Sequence, residues 1–205
     1  MKKIENITPE DIQKMSYNEI IGLVRETNRT PGGLKTIRTV AEKLMLNNNS
    51  KILDIGTSTG HSALEFSRLL NCEVVGIDIN ETAQERINRF ELNRAKFTLD
   101  DATNMKFPDK TFDVVFAGNV TSLVSNREKA LKEYWRVLKP NGYLVAVPMY
   151  YLESPSEKLI SDVRKAIQVI YLYYTRMIGK NFLLEMKLKF LMKLILGSIN
   201  VLIEK

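Results

Sequence analysis

Cysteine and histidine are almost missing from this chain: among 205 residues there is one of each, Cys72 and His61. A single cysteine excludes a disulfide within the chain and any cysteine-rich metal site, and it suits a reducing, cytoplasmic setting. A zinc site would have to lean on carboxylates, so no metal is expected. Also missing is any run of about 20 uncharged apolar residues, which argues against a spanning helix. The opening MKKIENITPEDIQ has a basic pair with no apolar stretch behind it, so it does not read as a signal peptide. There is no internal repeat and no low-complexity tract. What is present is a globular composition, 44% hydrophobic and 26% charged, in a length that suits one domain with a proper core. The net charge of +6 is compatible with nucleic acid or an anionic membrane. The lysines and arginines are spread along the chain beside acidic residues, so neither partner is expected.

Periodicity divides the chain into three parts. Residues 1–50 read as an N-terminal helical cap, a segment placed to cover a ligand cleft or, equally, to pack passively on the sheet. Pro9, Glu10 and Asp11 suit a helix first turn with Thr8 as its cap. Tyr17 to Glu26 continues at helical spacing, and Thr27 to Gly33 breaks it with Pro31 and two glycines. Leu34 to Leu46 then carries Leu34, Ile37, Val40, Ala41 and Leu44 on one face. Residues 51–148 alternate strand and helix. Strands are expected at ILDI, at EVVGID (Glu73 to Asp78), at Lys96 to Leu99, at FDVVFA (Phe112 to Ala117) and at YLVAV (Tyr143 to Val147). Helices are expected over 63–70, 81–93 and 126–138. Near-continuous apolar strands separated by helices imply a mostly parallel sheet covered on both faces, with a ligand site at the strand C-terminal ends where strand order reverses. Residues 149–205 are a C-terminal segment. Ser156 to Ile170 reads as helix. Over 182–196 alternation and i, i+4 spacing compete; helix is preferred, with Leu184, Leu188, Leu191 and Ile195 on one face. That face is expected to pack on the sheet or on a second subunit, as in a homodimer, rather than on lipid. Ile199, Val201 and Ile203 alternate as a final strand.

The chemistry gathers around Lys51 to His61, KILDIGTSTGH. A strand ends in Asp54, a loop follows with Gly56 and Gly60, and a helix begins at once. The small loop residues let a ligand approach the backbone, and the helix start offers free N–H groups. Gly56 and Gly60 stand four apart and no glycine occupies position 63, so the G-x-G-x-x-G pattern of dinucleotide binders is not met.

This stretch resembles motif I of the class I S-adenosylmethionine-dependent methyltransferases, commonly close to LDIGCGTG, with Thr57 and Ser58 in place of Cys and the middle Gly. Downstream, Asp100-Asp101-Ala102 followed by NMKFPDKTFDVV is similar to the family's GDA-x-x-LPF-x-D-x-x-FD, with Asp100 where Gly is common. REKALKEYWRVLKPNGYLVAV is similar to its following helix, turn and strand. The resemblance covers about residues 51–148. It implies a Rossmann-like α/β fold with two closing strands and an antiparallel edge, though it fades in the tail, which is expected to be shortened or rebuilt. It implies S-adenosylmethionine as cofactor and S-adenosylhomocysteine as product. Asp54 would serve the amine of the methionine tail, directly or through water, and the backbone near Gly56, Thr57, Ser58 and Gly60 would lie along the tail and sugar. Asp78, closing strand two, would accept the ribose hydroxyls. Ile79 would pack on the adenine, Asp101 would take its amine, and the Ala102 N–H would face the ring. Gly118, Asn119 and Val120 would lie near the methyl group.

No N/D-P-P-Y/F signature follows strand four, so a small-molecule acceptor is preferred over a nucleic-acid base. The transfer is an in-line displacement in which the enzyme aligns the nucleophile behind the methyl group. His61 is the candidate base, with a half-exposed helix-start residue as the preferred reading, so no catalytic residue is assigned. Tyr17, Arg29 and Tyr150 are candidate pocket-lining residues that packing or surface positions explain equally. Two other functions fit parts of the pattern. An NAD-dependent oxidoreductase would share Asp78 but not the glycine spacing. A noncatalytic S-adenosylmethionine-binding protein, or a membrane-associated partner protein, would accommodate Ser58, the missing base and the unusual tail.

Overall fold

The computed structural model describes residues 7–15, 20, 29–80, 94–147, 155–167, 190–195 and 198–204. Tyr17, Tyr150, nearly all of the expected helix over 17–26 and the whole of that over 81–93 lie outside these residues. Helix α1, Pro9–Lys14, starts as its sequence predicts. The Thr8 hydroxyl accepts the Asp11 N–H at 3.2 Å, and the Asp11 carboxylate accepts the Thr8 N–H at 3.1 Å, a reciprocal capping box. Helix α2, Gly33–Lys43, follows a tight turn in which the Gly33 N–H donates to the Thr30 carbonyl at 2.8 Å. Pro31 and Gly32 occupy the turn's centre, and Gly32 has φ 79°, a left-handed value that glycine takes without strain. Burial in α2 begins with Thr36 and Ile37; Leu34, expected on the inward face, is 44% exposed.

Seven strands form one sheet: β1 (Lys51–Ile55), β2 (Glu73–Asp78), β3 (Ala95–Leu99), β4 (Phe112–Gly118), β5 (Leu138–Val147), β6 (Phe190–Ile195) and β7 (Ser198–Glu204), in the order β3-β2-β1-β4-β5-β7-β6. The first five are parallel; β7 runs antiparallel to both β5 and β6. From β1 the chain proceeds outward to β2 and β3, then returns to the other side of β1 as β4. That reversal opens a crevice at the carboxyl ends of β1 and β4. Alternate residues of the central strands face two cores. On one face Ile52, Val74, Val114 and Phe116 pack with Ile37 and Val40 of α2 and with Ala63 and Phe66 of α3 (His61–Leu70). On the other, Leu53, Ile55, Val75, Ile77 and Val115 pack with Ala130, Leu131, Tyr134 and Val137 of α4 (Arg127–Val137). Helix α5 spans Glu157–Ile167, within the stretch expected to be helical. Among the described residues no helix is long and apolar enough to cross a membrane.

The tail departs from expectation. Phe190–Ile195 is a strand, not the second half of a helix, and it pairs residue for residue with Ser198–Ile203. Both periods fit a stretch this short. The neighbouring β7 decides between them, because its backbone groups find partners only in an extended β6. The helical face of Leu184, Leu188, Leu191 and Ile195 therefore does not form over its second half, and the subunit contact expected of it loses that basis. The two closing strands with an antiparallel edge are present.

Candidate functional site

The chain turns sharply as β1 ends. Gly56, Ser58 and Gly60 all have positive φ, at 63°, 48° and 77°. The Thr57 N–H donates to the Ile77 carbonyl at 2.9 Å, and the Gly60 N–H donates to the Thr57 carbonyl at 2.7 Å. A Cβ placed on Gly56 would lie 2.7 Å from Val120 Cβ, so this turn touches the segment that follows β4.

Two carboxylates hold the turn. Asp54 is buried, 2% exposed, and accepts the Thr57 hydroxyl at 2.7 Å and the Ala63 N–H in the first turn of α3. Burial pushes its pKa up to about 7, against the lowering effect of these hydrogen bonds. Asp78 closes β2. Its Oδ2 accepts the Ser58 N–H at 2.8 Å and its Oδ1 accepts the Asn80 N–H at 3.0 Å. Burial raises its pKa too, and the backbone N–H donors offset part of the rise. Ser58 thus occupies the left-handed position with its N–H tied to the strand-two carboxylate. Ile79, next along, is 71% exposed at the strand end.

After β3, Asp101 is exposed; its Oδ1 accepts the Thr103 N–H at 2.8 Å, and its carbonyl accepts the Asn104 N–H at 2.9 Å. The Ala102 side chain joins the core beneath this turn. After β4, Asn119 has φ 67° and donates its N–H to the Val147 carbonyl at 2.9 Å. The ends of β1, β2, β3 and β4 therefore bring nearly the whole set of sequence-predicted residues to one edge of the sheet. The Thr57 hydroxyl and N–H both bond within the protein.

In the sequence Thr30 is only part of a break between helices. In the fold it is 5% exposed, and a Cβ on Gly118 would lie 2.8 Å from its Oγ1. Three buried side-chain atoms, Thr30 Oγ1, His61 Nε2 and Asn119 Oδ1, have no hydrogen-bond partner among the described residues. Burial pulls the His61 pKa below its ordinary value; Glu65 pushes the other way, and Arg29 and Arg68 add to the lowering. A neutral imidazole at pH 7 follows, and Arg29 acts on it although its own side chain is exposed. Pro31 and the two glycines mark a break in the helical pattern, but nothing local shows what the turn at Thr30 touches.

A glycine turn braced by two carboxylates, at the switch point of a mostly parallel sheet, defines an open α/β ligand-binding protein. Residues 53–146 match the family model described as a methyltransferase domain. The chain is 31% identical over 150 residues to the ubiquinone/menaquinone biosynthesis C-methyltransferase UbiE of Azotobacter vinelandii, covering 69% of this chain and 58% of that enzyme. It is 32% identical over 108 residues to the sterol 24-C-methyltransferase of Candida albicans, covering 50% of this chain and 29% of the relative. The crystal structure of the MccD protein is similar with a TM-score of 0.71 and 31% identity, covering 81% of this chain and 74% of that one. The chain spans less than two thirds of the length of both named enzymes. It belongs to the class I S-adenosylmethionine-dependent methyltransferases, whose cofactor is S-adenosylmethionine. The polar atoms of Thr30, His61 and Asn119 that are buried without a partner among the described residues are compatible with that polar molecule.

Proposed function

We propose that this chain transfers a methyl group from S-adenosylmethionine to a small-molecule acceptor. The observation that carries the reading is Asp78, a half-buried carboxylate at the end of β2 that is also bonded to the glycine turn. In this reading Asp78 accepts the ribose hydroxyls, Ile79 covers the adenine, and Asp101 and the Ala102 N–H meet its edge. Gly56, Thr57, Ser58 and Gly60 line the tail, with Asp54 beneath the turn on the side of the amine. Asn119 and Thr30 lie toward the methyl group.

S-adenosylmethionine supplies an electrophilic methyl group on a sulfonium, which leaves as a neutral thioether, so the protein need not protonate the leaving group. The chain's task is to bind, to align the nucleophile, and to keep water out. His61 is a weakened base because burial lowers its pKa, and no catalytic role is assigned to it. By name, one relative methylates a sterol and the other serves ubiquinone and menaquinone biosynthesis, which supports a small acceptor. Thr30, packed against the end of β4, supports the reading of residues 1–50 as a cap over a 51–148 core in one domain, followed by the 149–205 segment. The free, buried Cys72 accords with a cytoplasmic setting.

Asp78→Ala is expected to weaken S-adenosylhomocysteine binding by about 1–3 kcal/mol in calorimetry, from loss of charge-assisted hydrogen bonds. Because Asp78 also holds Ser58, the ribose contact needs its own readout. Wild type should prefer adenosine to 2′,3′-dideoxyadenosine, and the variant should not. Undiminished discrimination in Asp78→Ala would rule out the ribose assignment.

A further inference from the structure

We propose that Glu133 and Arg136, with Asp100, are positioning residues that hold the loop after β3 in its ligand-binding shape before any ligand arrives. The inference rests on the reading that Asp101 and Ala102 meet the adenine. It identifies what keeps them there.

Among the described residues β3 is the edge strand of the sheet, with no further strand beside the loop that leaves it. Support comes instead from within the loop and from α4. Asp100 is 6% exposed; its Oδ1 accepts the Asp101 N–H at 3.0 Å and its Oδ2 accepts the Lys106 N–H at 3.0 Å. One carboxylate thus closes the loop across its mouth. On the far side, Glu133 Oε2 accepts the Met105 N–H at 2.8 Å. Arg136 donates from Nη2 to the Met105 carbonyl at 3.0 Å and from Nη1 to the Phe107 carbonyl at 2.7 Å. Both polar backbone groups of Met105 are therefore held by two side chains of one helix.

Those two side chains are themselves locked together. Arg136 Nε and Nη2 meet Glu133 Oε1 and Oε2, each at 2.7 Å, a bidentate pair one helical turn apart. Asp109 meets Nη1 at 2.9 Å. The pairing lowers the Glu133 pKa and raises that of Arg136, so both groups stay charged at neutral pH. Helix α4 is fixed in turn by Ala130, Leu131, Tyr134 and Val137 in the core. The planar guanidinium serves two carbonyls and two carboxylates at once, which a lysine ammonium cannot do. Neither Glu133 nor Arg136 bonds to Asp101 or Ala102. They order the loop in advance, so that a ligand meeting those residues does not bear that ordering cost on binding.

Calorimetry of the full chain with S-adenosylhomocysteine and with adenosine tests this. Arg136→Met should weaken both ligands by the same factor, on the order of tenfold, because the change lies at the adenine end they share. Arg136→Lys should not restore affinity. Asp100→Asn keeps one carbonyl acceptor of two and should show a smaller loss in the same direction; it decides the matter if Arg136→Met does not fold. Amide exchange at Met105 and Lys106 should quicken in both variants. Wild-type affinity in a folded variant, or a loss confined to S-adenosylhomocysteine, would overturn the proposal even if the adenine reading stands. A lower melting temperature with unchanged affinity would reduce the clamp to a structural brace and overturn it as well. Wild-type protein that binds neither ligand would remove the underlying reading, and the proposal with it.

Discussion

Gly56→Ala is expected to destabilise the protein and abolish measurable S-adenosylhomocysteine binding. Gly56 has φ 63°, where an L side chain costs about 1–2 kcal/mol. The new methyl group would also lie 2.7 Å from Val120 Cβ and closer still to a Val120 methyl. Relieving that contact means moving either the turn or the segment after β4, at about 1–3 kcal/mol for overpacking. Together these suggest a loss of about 2–5 kcal/mol, read as a shift of the urea midpoint at unchanged slope. Val120→Ala in the same chain should recover the part due to collision and leave the part due to φ. If Gly56→Ala unfolds at the wild-type midpoint and binds normally, the close contact between the two strand ends is not a feature of the folded protein.

The second large effect is on pH. The Asp54 pKa rises from an ordinary 3.8 to about 7 because the carboxyl is buried. A raised carboxyl favours the fold most while it is protonated in both states, below its unfolded value. That advantage is lost as pH rises through the folded value, so the window runs from about pH 4 to pH 8. The difference in pKa corresponds to about 4 kcal/mol. Asp54→Asn cannot titrate. Wild type should therefore lose stability relative to Asp54→Asn by up to this amount as pH rises across the window, measured by urea unfolding at each pH. Parallel profiles for the two proteins would show that Asp54 ionises freely in the fold. If the ligand's ammonium lies on the Asp54 side of the turn, saturating S-adenosylhomocysteine should flatten the wild-type profile, because a nearby cation favours the ionised carboxyl.

Both effects act on residues whose positions could be read locally. Asp54 and Asp78 each end a run of β-forming residues, and Gly56 and Gly60 follow within one turn, so strand, turn and helix were legible from neighbours in the chain. What these residues bond to was not. The Ser58 N–H reaches Asp78 across 20 positions, and the Met105 N–H reaches Glu133 across 28. Glu133 and Arg136 carry no local sign of their role, because nothing within one helical turn reveals a loop that arrives from β3. Thr30 is a similar case: its turn is written in Pro31 and Gly32, but its burial depends on Gly118, far along the chain.

The sequence by itself determined the alternation of apolar strands and amphipathic helices, the parallel core it implies, and the carboxylates and glycines at strand ends. All of these follow from side-chain periodicity and backbone preference over a few residues. Only the tertiary structure decided the strand order, the extended form of Phe190–Ile195, and the desolvation that moves the Asp54 pKa. Each depends on which distant segment lies alongside. A backbone group takes its hydrogen bond from a neighbouring strand, and a carboxyl loses its water to whatever packs above it, so neither outcome is encoded in the period of the segment itself.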